Sequence, residues 1–168
     1  MEALPFADDS FDLTMGILTL HHWQDWRQGL REAMRVSGGE VLLLTWFGFR
    51  ENFWLSDYFP GAADYDNSRF PDKESYEDVL GEIEVHTVPI PHDCRDGFMC
   101  AYWRRPEAYL DPAVRAGIST FPKLENVEVG VKKLQHDLDS GRWQGKYGAL
   151  LEEDAYDFGY RVVRTKSR

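Results

Sequence analysis

Seven consecutive residues, Val41-Leu42-Leu43-Leu44-Thr45-Trp46-Phe47, carry no charge, and they constrain the fold more than any other part of the chain. The run is far too short to cross a bilayer, which takes about 20 apolar residues. It is also too continuous for a strand with one wet face. A Gly pair precedes it, so it predicts a central strand covered on both faces, as in a parallel sheet. Upstream, Phe11 to Leu18 reads as a strand, mostly apolar on both faces. Asp25, flanked by Trp23 and Trp26, is placed to cap a helix. Leu30, Ala33 and Met34 then recur at helical spacing until Ser37-Gly38-Gly39 stops that helix. Strand, helix, glycine turn and buried strand together make a βαβ unit.

Further along, Lys73 to Leu80 predicts a short helix ended by Gly81. Glu84 to Ile90 predicts a strand that Pro89 and Pro91 push to an edge or an end. Asp96 is placed to cap a helix through Arg104, closed by Pro106, and a second helix follows Pro112. Asn126 opens a longer helix with Val127, Val131, Leu134 and Leu138 on one face. Finally, Tyr156, Phe158, Tyr160 and Val162 alternate with Asp157, Gly159 and Arg161, the period of a last strand that runs to Arg164.

The balance of charge narrows the partners. The 168 residues hold 29 Asp+Glu against 19 Lys+Arg, a net charge of −10, which repels phosphate backbones and argues against nucleic acid. Ten of the acids and only three of the bases fall in residues 50–84, together with Phe53, Trp54, Tyr58, Phe59, Tyr65, Phe70 and Tyr76. This segment reads as an acidic, aromatic-rich cover within a single domain spanning 1–168, its rings inward. No bilayer-spanning run or leader-like segment is expected. Two cysteines, Cys94 and Cys100, point to a reducing cytoplasm.

Few residues offer chemistry by pattern. The chain has no phosphate-cradling glycine loop, Cys-x-x-Cys or His-Glu-x-x-His. His21-His22 diverge too much to share one metal ion, so no metal is expected. His92 and Cys94 read as loop residues. What remains is positional: residues just beyond the carboxyl end of a strand in an open α/β sheet line the ligand crevice. Leu18-Thr19-Leu20-His21-His22-Trp23 holds that place, and imidazole suits proton transfer near neutral pH. Alternatively, the two histidines only hydrogen-bond within their loop.

Glu2-Ala3-Leu4-Pro5-Phe6-Ala7-Asp8-Asp9-Ser10-Phe11-Asp12-Leu13 resembles the stretch leading into the fourth strand of class I S-adenosylmethionine-dependent methyltransferases, above all those of ubiquinone and menaquinone biosynthesis. The resemblance continues through Leu20-His21-His22-Trp23, Leu30 to Val36, Gly38-Gly39 and Val41 to Thr45, and is looser beyond residue 50. It implies a Rossmann-like α/β fold. Family sheet order runs 3-2-1-4-5-7-6, so this chain would hold a half-sheet of about four strands, 4-5-7-6, with the last strand antiparallel and helices on its faces. It implies S-adenosylmethionine as cofactor, bordered by Met1, Glu2 and Ala3 at the adenine and by Leu18, Thr19 and His22 at the methyl end. It implies His22 and His21 as catalytic residues and a small-molecule methyl acceptor. Trp46, Phe47, Trp54 and Tyr58 are candidate lining for the acceptor pocket, or plain core.

The family's Gly-rich loop and its ribose-holding acid would fall before residue 1, so this chain matches the C-terminal part of the family. Three readings follow: a shortened methyltransferase with weak or no activity alone; a half-fold completed by another copy through the open edge at Phe11–Leu18; or a non-catalytic interaction module derived from the fold.

Overall fold

The computed structural model describes residues 2–48 and 53–166. In chain order its elements are β1 (Phe11–Ile17), α1 (Trp26–Val36), β2 (Ser37–Trp46), α2 (Gly61–Asn67), α3 (Lys73–Leu80), β3 (Ile83–Thr87), β4 (Ile90–Pro91), α4 (Pro112–Gly117), α5 (Val127–Asp139), α6 (Arg142–Tyr147), β5 (Ala155–Tyr156) and β6 (Tyr160–Thr165). They form two units. One comprises Met1–Gly48, Asn67–Val88 and Gly159–Arg168, the other Phe49–Asp66 and Pro89–Phe158. The acidic segment 50–84 therefore runs through both.

The first unit is built on a four-stranded sheet in the order β1-β2-β6-β3. β1 and β2 are parallel, and β6 runs antiparallel to both its neighbours, β2 and β3. This is the half-sheet expected from the family order, including its antiparallel last strand. The strand ending in Pro-flanked residues, β3, is an edge.

Alternation along the strands decides which face is covered. Val41 and Leu43 of β2, Val163 of β6 and Ile83 of β3 pack with Leu30 and Ala33 of α1 and with Tyr76 and Leu80 of α3. Asp25 caps α1 through Gln28 N–H, and Asp72 caps α3 through Ser75 N–H, both at 2.9 Å. Inside this core Thr45 Oγ1 and Tyr76 Oη are 2.7 Å apart, and burial pushes the Tyr76 phenol up to about 12. The opposite face at β1 is open: Leu13, Met15 and Ile17 are 47%, 57% and 58% exposed.

Four expectations change. Gly38-Gly39 is not a helix stop: α1 ends at Val36 and the chain enters β2 directly at Ser37. The glycines serve the sheet instead. A Cβ on Gly39 would lie 2.2 Å from the Asp12 carbonyl oxygen, where the β1–β2 register shifts. The Glu84–Ile90 strand is divided, because Pro89 has no N–H to continue the ladder after Val88 N–H bonds Tyr160 O. β3 stays in the main sheet, while β4 pairs with β5 in the second unit. The Tyr156–Arg164 strand is likewise divided at Gly159, whose φ of +91° leaves extended conformation and whose missing side chain admits Gly48 O. The helix from Asp96 to Arg104 does not form. Isolated i→i−3 bonds at Ala101, Trp103 and Arg105 make turns, and Trp103 Nε1 donates to Ile90 O rather than facing a helical neighbour.

The second unit is helical, with the two-stranded sheet β4-β5. Trp54 lies in its centre, donating from Nε1 to Trp103 O at 2.9 Å and meeting Tyr58, Tyr109 and Trp143 edge to face. The Arg115 guanidinium is buried and donates to Tyr109 O and Leu110 O, satisfying carbonyls at the end of the 3-10 turn Pro106–Leu110. The longer helix expected from Asn126 is α5, although Asn126 begins it in a left-handed conformation with no side-chain cap.

Candidate active site

The carboxyl end of β1 leads into a loop held from three sides. Leu18 has φ +45°, a conformation that β-carbon residues seldom adopt, and its N–H bonds Leu44 O at 2.9 Å. Leu20 is buried, anchoring the 3-10 turn Leu20–His22. Trp23 Nε1 donates to Thr19 Oγ1 at 3.2 Å. The Trp23 ring packs onto α1 where only glycine fits, since a Cβ on Gly29 would lie 2.4 Å from it. Strain at Leu18, fixed by surrounding packing, is of the kind found at functional sites.

This loop turns His21 inward and leaves His22 exposed. The His21 ring lies 4.0 Å from His22 and 4.5 Å from Phe70, centroid to centroid. Phe70 in turn meets Trp46, at the end of β2, edge to face at 5.5 Å. Arg69 donates from Nη2 to His21 O at 3.0 Å. His21 Nδ1 is buried with no hydrogen-bond partner among the described residues. Burial above all, then the charges of His22 and Arg69, pull its pKa down to about 4, so the ring is neutral near pH 7.

The segment before β1 is strapped onto α1. Glu2 Oε1 accepts from Gln24 N–H and Asp25 N–H, and the Asp25 bond above all holds its carboxyl near pKa 2. Arg35 donates to Leu4 O, Phe6 O, Asp8 and Glu32, while Glu32 Oε2 also accepts Leu4 N–H. Ala3 is exposed, and Met1 lies outside the described residues.

Of the candidate pocket residues, Trp46 and Phe47 belong to the first unit, Phe47 half-buried against Tyr76. Trp54 and Tyr58 belong to the second, where Tyr58 Oη donates to Asp137 Oδ2 at 3.1 Å. The sequence pattern assigns neither Arg69 nor Arg35 to the site, and Phe70 only to the inward rings of the acidic segment. Arg69 is 48 positions from His21, and nothing in the spacing links them. Among the described residues no three His, Cys, Asp or Glu converge as a metal site, and no helix is long and apolar enough to cross a membrane.

The methyltransferase-domain family profile matches residues 1–43. A candidate methyltransferase from an antibiotic biosynthesis pathway of Anabaena variabilis ATCC 29413 superposes with a TM-score of 0.89 and 36% identity, over 98% of this chain and 70% of its own. The chain belongs to the methyltransferase family. The Escherichia coli (strain K12) protein YafE is 40% identical over 45 residues, 26% of this methyltransferase chain. The chain spans 22% of YafE, and 70% of the Anabaena methyltransferase.

Proposed function

We propose that this chain contributes the methyl-transfer end of an S-adenosylmethionine-dependent methyltransferase that acts on a small-molecule acceptor. The observation that carries the reading is the placement of the strained Leu18 turn and the His21-His22 pair at the carboxyl end of β1, in a sheet of order β1-β2-β6-β3.

The residues present fit one end of the cofactor. A buried nitrogen without a partner, His21 Nδ1, marks a place where a ligand atom can complete the hydrogen bonding. Leu18, Thr19 and His22 would border the methionine part, and the strapped backbone at Ala3 the adenine. When bound, S-adenosylmethionine supplies a methyl group already activated by its sulfonium. The chain's own contribution is to position the acceptor and to take up a proton. His22, exposed on the loop, accepts the proton from the acceptor's nucleophilic atom. His21 stays neutral beside it, because burial above all, and then the charge of His22, disfavours its cation. Phe70 and Trp46 close the apolar side of the site. Cys94 and Cys100, which form no disulfide among the described residues, suit a cytoplasmic setting.

The test is binding of S-adenosylhomocysteine, followed by amide and imidazole NMR shifts. The expected outcome is binding near the millimolar range, about −4 kcal/mol, with the largest shifts in residues 18–22 and in the His21 ring. Absence of any shift in that loop at about 10 mM ligand overturns the proposal.

A further inference from the structure

A cavity of about 630 Å³ opens in the second unit, between the segment Asp57 to Tyr65 and the start of α5. Every residue that lines it belongs to that unit, and none to the His21 loop of the first. Pockets that hold small molecules span about 300–1,000 Å³. The walls are braced against one another. Lys133 Nζ donates to Asp57 O at 2.7 Å, and Phe59 meets Phe121 edge to face at 4.9 Å. A Cβ on Gly130 would lie 2.2 Å from Tyr58 O, so α5 approaches that segment as closely as glycine allows. A cavity braced in this way needs little ordering when it is filled.

The lining combines an apolar body with positive heads. Tyr65 and Leu124 are half-buried, and Val129 is 66% exposed, unusual for so apolar a side chain. Tyr58 and Phe59 also line the cavity, and the Tyr58 hydroxyl is taken by Asp137, which leaves its ring to the site. The Asp57 carboxylate is engaged by Lys146 Nζ and Tyr147 Oη, which hold its pKa below the ordinary value. Lys123 and Lys133 have no ion-pair partner among the described residues. Lys133 Nζ lies instead 5.1 Å from the centre of the Tyr58 ring. Glu125, exposed at the lining, is the single acid there without a cation among the described residues. Two unpaired ammonium groups therefore outweigh one unpaired carboxylate, in a chain whose net charge is −10.

We propose that this cavity binds a small carboxylate with an apolar ring body, the ring against Tyr58, Tyr65 and Val129 and the carboxylate held by Lys123 and Lys133. The site does not rest on the methyl-transfer reading. Apolar surface supplies the attraction for the body, and the lysines discriminate by charge. Lysine is a compact point charge on a flexible stem, so it rewards a negative head without demanding a two-pronged fit. A neutral amide of the same shape keeps the ring contact and loses the head.

Titration of the whole chain with 3-phenylpropanoate, followed by the methyl shifts of Val129 and the ring shifts of Tyr65, tests this. The expected dissociation constant is about 1 mM, with 3-phenylpropanamide at least about fivefold weaker. Lys123→Gln combined with Lys133→Gln should weaken the acid by about fivefold to tenfold and leave the amide unchanged. Glu125→Gln should tighten the acid about twofold. Val129→Glu, which adds a negative charge at the mouth, should abolish binding of the acid. All four positions are exposed, so circular dichroism should not change. Absence of shifts at Val129 and Tyr65 with about 10 mM acid overturns the proposal. Equal affinity for acid and amide also overturns it, as does a double lysine variant that binds the acid as tightly as wild type. Shifts confined to residues 18–22 overturn it too, and give the acid to the His21 loop.

Discussion

The guanidinium of Arg35, in the last turn of α1, stands 2.8 Å from the carboxylate of Asp8 in the segment before β1. The same side chain holds Leu4 O and Phe6 O, and Glu32 braces it from one turn earlier. One residue of α1 therefore fixes the whole approach to the sheet. Arg35→Lys keeps the charge and loses the fork. Amide hydrogen exchange at Leu4 and Asp9 should accelerate at least about tenfold in that variant, while the amides of β2 keep their protection.

Tyr76 and Thr45 satisfy one another in the core of the first unit. Tyr76→Phe would leave the Thr45 hydroxyl buried without a partner, at a cost of about 1–3 kcal/mol. Urea unfolding should show it as a lower midpoint with an unchanged slope. Pairing that variant with Thr45→Val should recover part of the loss, because then neither polar group remains.

His21 makes stability pH-dependent in a defined window. Its folded pKa is near 4, below the ordinary 6.5, so between those values the unfolded chain binds a proton that the folded chain excludes. Stability attributable to His21 is complete above pH 6.5 and is lost as pH falls toward 4. Glu2 and Glu32, both held near 2, act lower, losing their contribution only as pH falls from about 4.5. Comparing urea midpoints at pH 7 and pH 5, His21→Gln should lose less stability than wild type. An equal loss would count against a buried neutral imidazole.

A Cβ on Gly39 of β2 has no room beside the Asp12 carbonyl of β1. Gly39→Ala forces a methyl group against the Asp12 carbonyl and should destabilise by about 2–3 kcal/mol. Gly38→Ala meets Asp9 only at 3.3 Å, so its effect on the thermal midpoint should be clearly smaller.

Much of the first unit was legible because local signals and burial agree there. Asp25 caps where its spacing says, and Val41 to Trp46 lie in the strand they look like. The Gly38-Gly39 pair misled for a physical reason. Glycine ends helices and also admits close backbone contact, and only the neighbouring strand tells which. The second unit was least legible: its order rests on indole and phenol bonds to distant carbonyls, such as Trp54 to Trp103 O and Tyr109 to Met99 O. These leave no period in the sequence. Strand-end logic points to Leu18–His22 as the candidate site, while Phe70 and Arg69 contact His21 through tertiary packing alone.

The direct passage from Val36 of α1 to Ser37 of β2 leaves the chain no slack at that joint. Connections elsewhere in such a domain can lengthen or shorten without altering what they connect. Here a single inserted residue would invert the inward and outward sides of β2, turning Val41, Leu43 and Thr45 out of the core. Alternatively, it would have to be absorbed by looping out the end of α1, where Arg35 holds the strap. Length at this joint is therefore as strictly specified as any side chain, and the tilt of α1 and the register of β2 can only change together.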